Sequence, residues 1–525
     1  MSLRAQASVY SRLALGLRSF LGQTVTPEDG RETIRRSLLE REVSFLSVMK
    51  SAVYGHAPSP YLSLLKLAGC EYGDLETMVR RNGIESTLAT LRREGVYVSA
   101  DEFKGRRPIV RGSTTEQFHE GDFKNPLLTG IQARGSGSRG TPTTTTMSLE
   151  RAHYLADCCS ATLDAHGLAG SPTLLWMPAL PSSAGTAMLL YSTKMGTPPV
   201  RWFSPVSNAR IRPDVSKRLA TRYIVHVGRL LGRPMPRPEY VAADRVREVA
   251  EEIRQTVARY GTCVVFSTPS NAVRACYTGI DMSGATFLVS GEPLTPAKAR
   301  EIDSAGARTL NMYASAECGV VGFGCAGQKG SLDDIHVLSG TQAFIQHRRQ
   351  TIYGDGEIDA LLFTTLSPVA PKMLLNVEVG DYAVAETRDC GCTLGDLGLT
   401  THLSTIQSFE KLTGEGMTFG GTDIVRIVEE VLPQVFGGAS TDYQFIEEED
   451  EHGKTYLSVI VDPAIDLADD SELVQIVLSE LARGNDTRRM MSEAWAEAGV
   501  IRLKREPPHV TAGGKLLPLH IRKTQ

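Results

Sequence analysis

Apolar side chains recur at helical spacing through the N-terminal part of the chain. The spacing is clear over residues 34–53 and again over residues 75–94, where Gly95 ends the second stretch. Residues 4–21 form an amphipathic stretch without acidic side chains, which we interpret as a packing helix rather than a targeting segment. These patterns predict a mainly helical region over residues 1–100.

Beyond this region, short apolar runs alternate with helical stretches. The predicted strands are residues 173–177, 200–203, 263–267, 286–289 and 361–365. Such alternation is typical of parallel sheets that are covered by helices. The sequence therefore predicts an α/β fold for the larger part of the chain.

The pattern changes again near residues 401–416. A hairpin is predicted at 441–446 and 455–461, followed by helices at 470–482 and 487–498 and a strand at 500–504. We interpret the acidic run 447–451 as a solvated hairpin tip rather than a metal site. These boundaries predict a large N-terminal domain of helix-covered sheets over residues 1–409 and a small α+β domain over residues 410–525.

Composition and charge narrow the classes of function. The chain has 525 residues, 42% of them hydrophobic, and a formal net charge of -4, which gives no general attraction to nucleic acid or to an anionic membrane. No apolar run is long enough to predict a membrane span. The chain has nine cysteines, an odd number, and no secretory signal, so we expect a reducing, cytoplasmic location rather than a disulfide framework.

A segment rich in glycine and hydroxyl side chains precedes a predicted helix. Residues 134–146 read RGSGSRGTPTTTT, in which the glycines would let the backbone approach a polyphosphate while hydroxyls and amides donate to its oxygens. Thr141 stands where a Walker A loop would need lysine, so the segment is a phosphate loop of another kind. Ser148 is predicted to cap the following helix, with Arg151 at the position where a capping box has glutamate.

Four further segments follow the loop in a fixed order. They are 287–295 (FLVSGEPLT), 309–319 (TLNMYASAECG), 374–382 (LLNVEVGDY) and a glycine-flanked turn that ends in Lys515. Each is weak alone, and Gly-Gly-Lys by itself is an ordinary turn. As an ordered set they resemble the adenylate-forming superfamily of acyl-CoA synthetases, nonribosomal adenylation domains and luciferases. Within it, the Asp-Cys-Gly-Cys of 389–392 and the Asp-Ile-His-Val of 334–337 resemble phenylacetate-CoA ligase-like and acyl-protein-synthetase-like proteins.

The resemblance assigns a role to each matching position. It implies ATP contacts from the phosphate loop at Ser136, Gly137, Ser138, Gly140 and Thr143, and from the adenine-side segments at Gly291, Glu292, Pro293, Tyr313 and Ala314. Asp381 would bind the ribose hydroxyls, Glu317 would hold Mg²⁺, and Lys515 would bridge the substrate carboxylate and the α-phosphate. Thr141 and Thr143 replace two lysines of the family. Lys411 stands near the family's hinge arginine, although no aspartate occupies the pivot.

These roles imply that a small carboxylic acid is activated as an acyl-adenylate with release of pyrophosphate. A mobile small domain would present Lys515 for this step and withdraw it for acyl transfer. Coenzyme A is the default acceptor, and a carrier-protein thiol or a nitrogen nucleophile is an alternative. A non-catalytic nucleotide-binding or scaffold protein is an alternative of another class. The acid is not identified, since the aromatic candidates for its pocket are equally plain core residues: Trp176, Trp202, Phe203 and Tyr277.

Four potential metal ligands flank the nucleotide motifs: Cys325, His336, Cys390 and Cys392. Three thiolates and one imidazole suit tetrahedral Zn²⁺ in a structural role, because four protein ligands leave no open position for water. Cys318 could substitute for Cys325, although its place beside Glu317 favours pocket lining. Inert buried thiols are the alternative to a zinc site.

Overall fold

A computed structural model describes most of the chain. The described residues are 3–134, 143–180, 182–205, 215–242, 245–327, 331–350, 357–408, 413–414, 417–418, 421–449, 455–483, 492, 496, 499–511 and 514–522.

The α-helices, in chain order, are α1 (Leu3–Gly22), α2 (Pro27–Leu39), α3 (Arg41–Val48), α4 (Leu62–Leu67), α5 (Tyr72–Asn82), α6 (Ile84–Arg93), α7 (Ala100–Phe103), α8 (Leu149–Ala165), α9 (Ser183–Lys194), α10 (Val215–Leu230), α11 (Val246–Tyr260), α12 (Pro269–Cys276), α13 (Pro296–Ser304), α14 (Thr393–Asp396), α15 (Gly421–Arg426), α16 (Leu432–Phe436) and α17 (Asp470–Leu481). Two π-helical turns, Met49–Tyr54 and Ile427–Val431, continue α3 and join α15 to α16.

The strands are β1 (Ile109–Arg111), β2 (Thr114–Glu116), β3 (Ile131–Arg134), β4 (Thr144–Met147), β5 (Thr173–Trp176), β6 (Trp202–Ser204), β7 (Pro238–Tyr240), β8 (Cys263–Ser267), β9 (Ala285–Val289), β10 (Arg308–Ser315), β11 (Gly319–Gly324), β12 (Ile335–Val337), β13 (Gln342–Gln350), β14 (Glu357–Thr365), β15 (Val377–Thr387), β16 (Thr401–Ser408), β17 (Thr413–Gly414), β18 (Met417–Thr418), β19 (Tyr443–Glu449), β20 (Thr455–Val461), β21 (Ile501–Arg505) and β22 (Leu519–Arg522).

One large sheet organises the first four-fifths of the chain. Among the described residues it has 12 strands in the order β13-β14-β15-β16-β12-β11-β10-β9-β8-β5-β6-β7. The half from β10 to β7 is parallel, and the half from β10 to β13 is antiparallel. Parallel strands are buried on both faces, which explains why β5, β8 and β9 are continuous apolar runs in the sequence.

A second sheet is built entirely from the C-terminal part of the chain. Its order is β21-β20-β19-β22, and only the β19–β20 hairpin is antiparallel. The apolar cluster beneath it draws its buried members only from residues between Ile424 and Leu519. This sheet therefore has a core of its own, as the predicted α+β region requires.

The predicted α/β architecture is confirmed, with local differences at the helix ends. The helical pattern of residues 75–94 is divided into α5 and α6 at Gly83, whose φ of 77° lies outside the helical region. Part of the acidic run is not a tip, because Glu448 lies in β19, accepts from Ser458 at 2.9 Å and pairs with Lys504. Most of the predicted helix at 487–498 lies outside the described residues. Within the described part of the chain, no helix is both long and apolar enough to cross a bilayer.

Candidate active site and metal centre

Several of the predicted nucleotide-binding residues lie near the carboxyl ends of central strands in the large sheet. Strands β9 and β10 are parallel neighbours, so the turn that contains Gly291 and the segment that contains Glu317 follow at the same sheet edge. The Tyr313 hydroxyl at the end of β10 donates to Asp381 Oδ2 in β15 across 2.7 Å. Burial and the nearby Asp381 carboxylate raise the pKa of Tyr313, so the phenol keeps the proton that it donates. The proposed adenine and ribose residues are therefore in direct contact.

The end of the phosphate loop reaches the glutamate motif. Thr143 is buried, and its hydroxyl donates to Glu317 Oε1 across 3.0 Å. The backbone amide of Thr144 donates to Glu120 Oε1 at 3.0 Å, and the same oxygen accepts from the buried Lys372 ammonium at 2.7 Å. These contacts fix the start of β4. The other loop residues of the prediction, Ser136, Gly137, Ser138 and Gly140, lie outside the described residues, as does Lys411.

A partly buried arginine lies beside the glutamate motif, and its location was not evident from the sequence. Arg151 occupies the first turn of α8, where its amide donates to the cap residue Ser148 at 3.2 Å, as the capping pattern predicts. Its guanidinium packs against Gly319 so closely that a Cβ there would lie 1.4 Å from Nη2. Gly319 also has a φ of 78°, so glycine is required on both counts. Burial lowers the pKa of Arg151, and its guanidinium has no carboxylate partner among the described residues.

The C-terminal turn places Lys515 against the adenine-side turn. A Cβ added to Gly291 would lie 3.2 Å from Lys515 Cε and 3.6 Å from Nζ. The Lys515 turn is closed by Thr511, whose amide donates to the Lys515 carbonyl at 2.8 Å and whose hydroxyl accepts from the Lys515 amide at 3.1 Å. The structure thus brings Lys515 to the same region as the predicted nucleotide residues.

The aromatic candidates for an acid pocket divide into two groups. Trp176, Trp202 and Phe203 are almost fully buried members of apolar clusters, which favours the plain-core interpretation for all three. Tyr277 is half exposed, and its hydroxyl donates to the Gly438 carbonyl at 2.9 Å.

The four predicted metal ligands come together in a buried cluster. His336 Nε2 lies 3.1 Å from Cys392 Sγ and 3.7 Å from Cys390 Sγ, and the two sulfurs are 3.3 Å apart. The Cys325 thiol donates a hydrogen bond to Cys392 Sγ, and this hydrogen bond lowers the pKa of Cys392. A hydrogen bond with His336 lowers the same pKa to a smaller extent. Cys318 is not in this cluster and instead lies beside Glu317, as its alternative role requires.

A fifth donor, His402, joins this cluster through strand pairing. His402 lies opposite His336 in the β12–β16 register, and their ring centroids are 4.2 Å apart. Its Nδ1 is 3.0 Å from the Asp334 carboxylate, and its buried Nε2 has no hydrogen-bond partner within the described part of the chain. Candidate ligand atoms of His402, Cys325, His336 and Cys390 all lie within 4.8 Å of one another. No spacing pattern in the sequence indicates His402, because its partner His336 lies on a strand that is far away along the chain.

The donor geometry fits a tetrahedral metal ion. Zn–S and Zn–N bond lengths imply ligand-to-ligand distances of about 3.3 to 3.8 Å, close to the separations in the cluster. His336 Nδ1 lies 2.6 Å from the Leu399 carbonyl, which can only accept, so Nδ1 carries the proton and Nε2 is available as a ligand. The Asp334 carboxylate holds His402 in the same manner.

Comparison with known proteins supports the fold but gives no sequence family. No family model matches the chain, and no curated protein matches it significantly in sequence. A solved structure of 2-hydroxyisobutyryl-CoA ligase in the postadenylation state, in complex with 2-HIB-AMP, has a TM-score of 0.54 and 12% identity, covering 92% of this chain and 89% of that one. The same ligase with R3-HIB-AMP gives a TM-score of 0.53 at 13% identity, with the same coverage. The chain has the fold of adenylate-forming enzymes.

Proposed function

We propose that the protein activates a small carboxylic acid with ATP, forms an acyl-adenylate with release of pyrophosphate, and passes the acyl group to a thiol. The observation that supports this most strongly is the placement of Lys515 against Gly291, at the sheet edge that also presents Tyr313 and Glu317. These groups come from distant parts of the sequence and match the adenylate-forming motifs in order. The proposed division into a large domain, 1–409, and a small domain, 410–525, follows from the change in sequence pattern near residues 401–416.

The reaction requires two anions to approach each other. The acid carboxylate attacks the α-phosphate of ATP, a new carboxyl–phosphorus bond forms, and the bond to pyrophosphate breaks. The Lys515 ammonium would stabilise the negative charge that develops on the α-phosphate oxygens. The chain lacks the two loop lysines of the family, and the Arg151 guanidinium beside Gly319 is available to supply positive charge close to Glu317. Mg²⁺ bound by Glu317 would act as a Lewis acid for the phosphates.

The nucleotide would be held by the remaining predicted residues. Asp381 would accept hydrogen bonds from the ribose hydroxyls at acceptor positions other than the one that the Tyr313 hydroxyl occupies on Oδ2. Gly291, Pro293 and Ala314 would contribute backbone groups and small side chains to the adenine side of the site. Thr143 would release Glu317 to the metal and donate to a phosphate oxygen instead.

The Cys/His cluster is proposed to hold a structural Zn²⁺ through Cys325, His336, Cys390 and Cys392. Its ligands come from the ends of β11 and β15 and from β12, so the ion would fix the antiparallel strands beside the nucleotide residues. Four protein ligands leave no open position for chemistry.

Coenzyme A is the proposed acceptor, and a carrier-protein thiol or a nitrogen nucleophile is the alternative. The test is pyrophosphate release from ATP and Mg²⁺ with a panel of carboxylic acids, followed by addition of coenzyme A, a carrier-protein thiol or an amine to the active combination. Pyrophosphate release that depends on an acid supports the proposal. A protein that binds ATP and releases no pyrophosphate with any acid would instead be a non-catalytic nucleotide-binding or scaffold protein.

A further inference from the structure

A buried carboxylate contacts the backbone immediately after the proposed catalytic lysine. Glu292 Oε1 accepts a hydrogen bond from the Leu516 amide across 3.0 Å. The two residues are far apart in sequence: Glu292 follows β9 of the large sheet, and Leu516 precedes β22 of the C-terminal sheet. Glu292 Oε2 accepts from the Ser270 hydroxyl at 2.5 Å and from the Ser270 amide at 3.2 Å. The carboxylate is therefore fixed from the large-domain side while its other oxygen holds the Lys515 turn.

Two further charges complete this contact region. Lys298, in the first turn of α13, lies 4.0 Å from Glu292 Oε2 and 3.0 Å from Glu429 Oε1. All three side chains are almost fully excluded from solvent, at 1% for Glu292, 3% for Lys298 and 2% for Glu429. The hydroxyl of Thr295, which caps α13, also donates to Glu429. We refer to Glu292, Lys298 and Glu429 as the buried ionic cluster.

The cluster joins the two parts of the proposed enzyme. Glu429 belongs to the π-helical turn of the C-terminal part, whereas Lys298 and Glu292 belong to the part that carries the large sheet. Buried carboxylates are tolerated only when they are paired and hydrogen-bonded. The contacts of Glu292 with Ser270 and Lys298 would persist in any orientation of the small domain, because all three residues belong to the part that carries the large sheet. Glu292 Oε1 can accept from the Leu516 amide only when the Lys515 turn lies docked against this part. That hydrogen bond therefore favours the orientation seen in the structure.

We propose that Glu292 is a positioning residue that holds the Lys515 turn in place for the adenylation half-reaction. The side chain of Lys515 packs against Gly291, and the amide of the next residue, Leu516, donates to Glu292. Two successive residues of one turn therefore contact the Lys515 turn. The resemblance to adenylate-forming enzymes implies that Glu292 contacts ATP on the adenine side. The proposed positioning role is different, since the Glu292 carboxylate accepts from Ser270 and from the Leu516 amide. It rests on the proposed function, because it assigns the docked state to acid activation rather than to acyl transfer.

The first test is independent of activity. Hydrogen exchange of the full-length protein, followed by mass spectrometry of a peptide that contains Leu516, should show protection of this amide in the wild type. Glu292→Ala should lose that protection, and Glu292→Gln, which retains an acceptor oxygen, should keep most of it. Glu292→Ala leaves Lys298 and Glu429 as a neutral pair, so the variant is expected to fold. Unchanged exchange at Leu516 in Glu292→Ala would overturn the proposal.

The second test separates the two half-reactions. Glu292→Ala should slow pyrophosphate release by roughly 10-fold to 100-fold, the effect of losing one hydrogen bond to a charged group, and should change acyl transfer from preformed adenylate by less than about twofold. Glu292→Gln should recover most of the adenylation rate. Glu430→Ala is the matched control, because Glu430 forms an exposed ion pair with Arg300 at the same interface and should leave both rates unchanged.

The outcomes distinguish the two proposals. Equal loss in both half-reactions, or no loss in either, would overturn the positioning role while leaving the proposed function intact. If the wild-type protein released no pyrophosphate with any acid, the proposed function would fail and the positioning role with it, even where the Leu516 amide proved to be protected.

Discussion

The Thr143 hydroxyl donates a hydrogen bond to the Glu317 carboxylate across 3.0 Å, and this bond joins the end of the phosphate loop to the glutamate motif. In the proposed reaction both groups turn to ATP and its metal ion. Under this proposal the bond would hold Glu317 near its working position before the nucleotide arrives and would be exchanged for ligand contacts afterwards.

Glu317→Gln should reduce turnover by roughly 10²-fold or more, because a bound metal ion supplies several kcal/mol of charge stabilisation in the transition state. ATP affinity should fall much less, since the metal matters most as charge moves. Thr143→Val should lower turnover by roughly 10-fold, the lower end of the net effect of one hydrogen bond to a charged acceptor. Steady-state kinetics and ATP titration would check both variants. Normal turnover in Glu317→Gln would show that the metal-binding residue is elsewhere.

Asp381→Ala should weaken ATP binding by roughly 10-fold to 100-fold, because two ribose hydroxyls would lose a charged acceptor. Tyr313→Phe is the matched control: it removes the hydroxyl that now contacts Asp381 but keeps the aromatic ring. Its ATP affinity should stay within about threefold of the wild type, because the Asp381 carboxylate that would accept from the ribose hydroxyls is unchanged. Calorimetric titration with ATP gives both values. Equal affinity of Asp381→Ala and wild type would remove Asp381 from the nucleotide site.

Protein purified without chelators or added zinc should contain about one equivalent of Zn²⁺. Cys390→Ser and Cys392→Ser should lose the metal and much of the stability, because metal binding is coupled to folding. Cys276→Ser, at a buried cysteine outside the cluster, should retain the metal. His402→Ala should also retain it if the proposed four ligands are correct. Elemental analysis and thermal unfolding would measure these effects, and a metal-free wild type would favour inert thiols.

The sequence predicts the strands of the fold best where a strand is buried on both faces. β5, β8 and β9 are buried on both faces, so each is a continuous apolar run, and their predicted positions agree with the structure to within a residue. The order of the antiparallel half could not be predicted in the same way, because β12 pairs with β16 and not with β13, the next strand along the chain.

The candidate site shows the same division. Lys515, Glu317 and the four proposed metal ligands carry local motifs and could be proposed from resemblance and residue chemistry. His402 was missed because only the β12–β16 register places it opposite His336. The proposed roles of Glu292 and Arg151 could not be predicted for a related reason, since the contacts that suggest them are to Leu516 and Gly319 on remote segments. Contacts of this kind depend on tertiary packing and leave no periodic signal in the sequence.

The central claim is that Lys515 acts in acid activation, and its most direct test is the rate of pyrophosphate release in a single turnover. Lys515→Ala should lower this rate by roughly 10² to 10³-fold, a loss of about 3 to 4 kcal/mol of transition-state stabilisation, with folding unchanged. Lys504→Ala, which removes a lysine paired with Glu448 in the same C-terminal sheet, should leave the rate within about twofold of the wild type. Near-normal pyrophosphate release by Lys515→Ala would contradict the account.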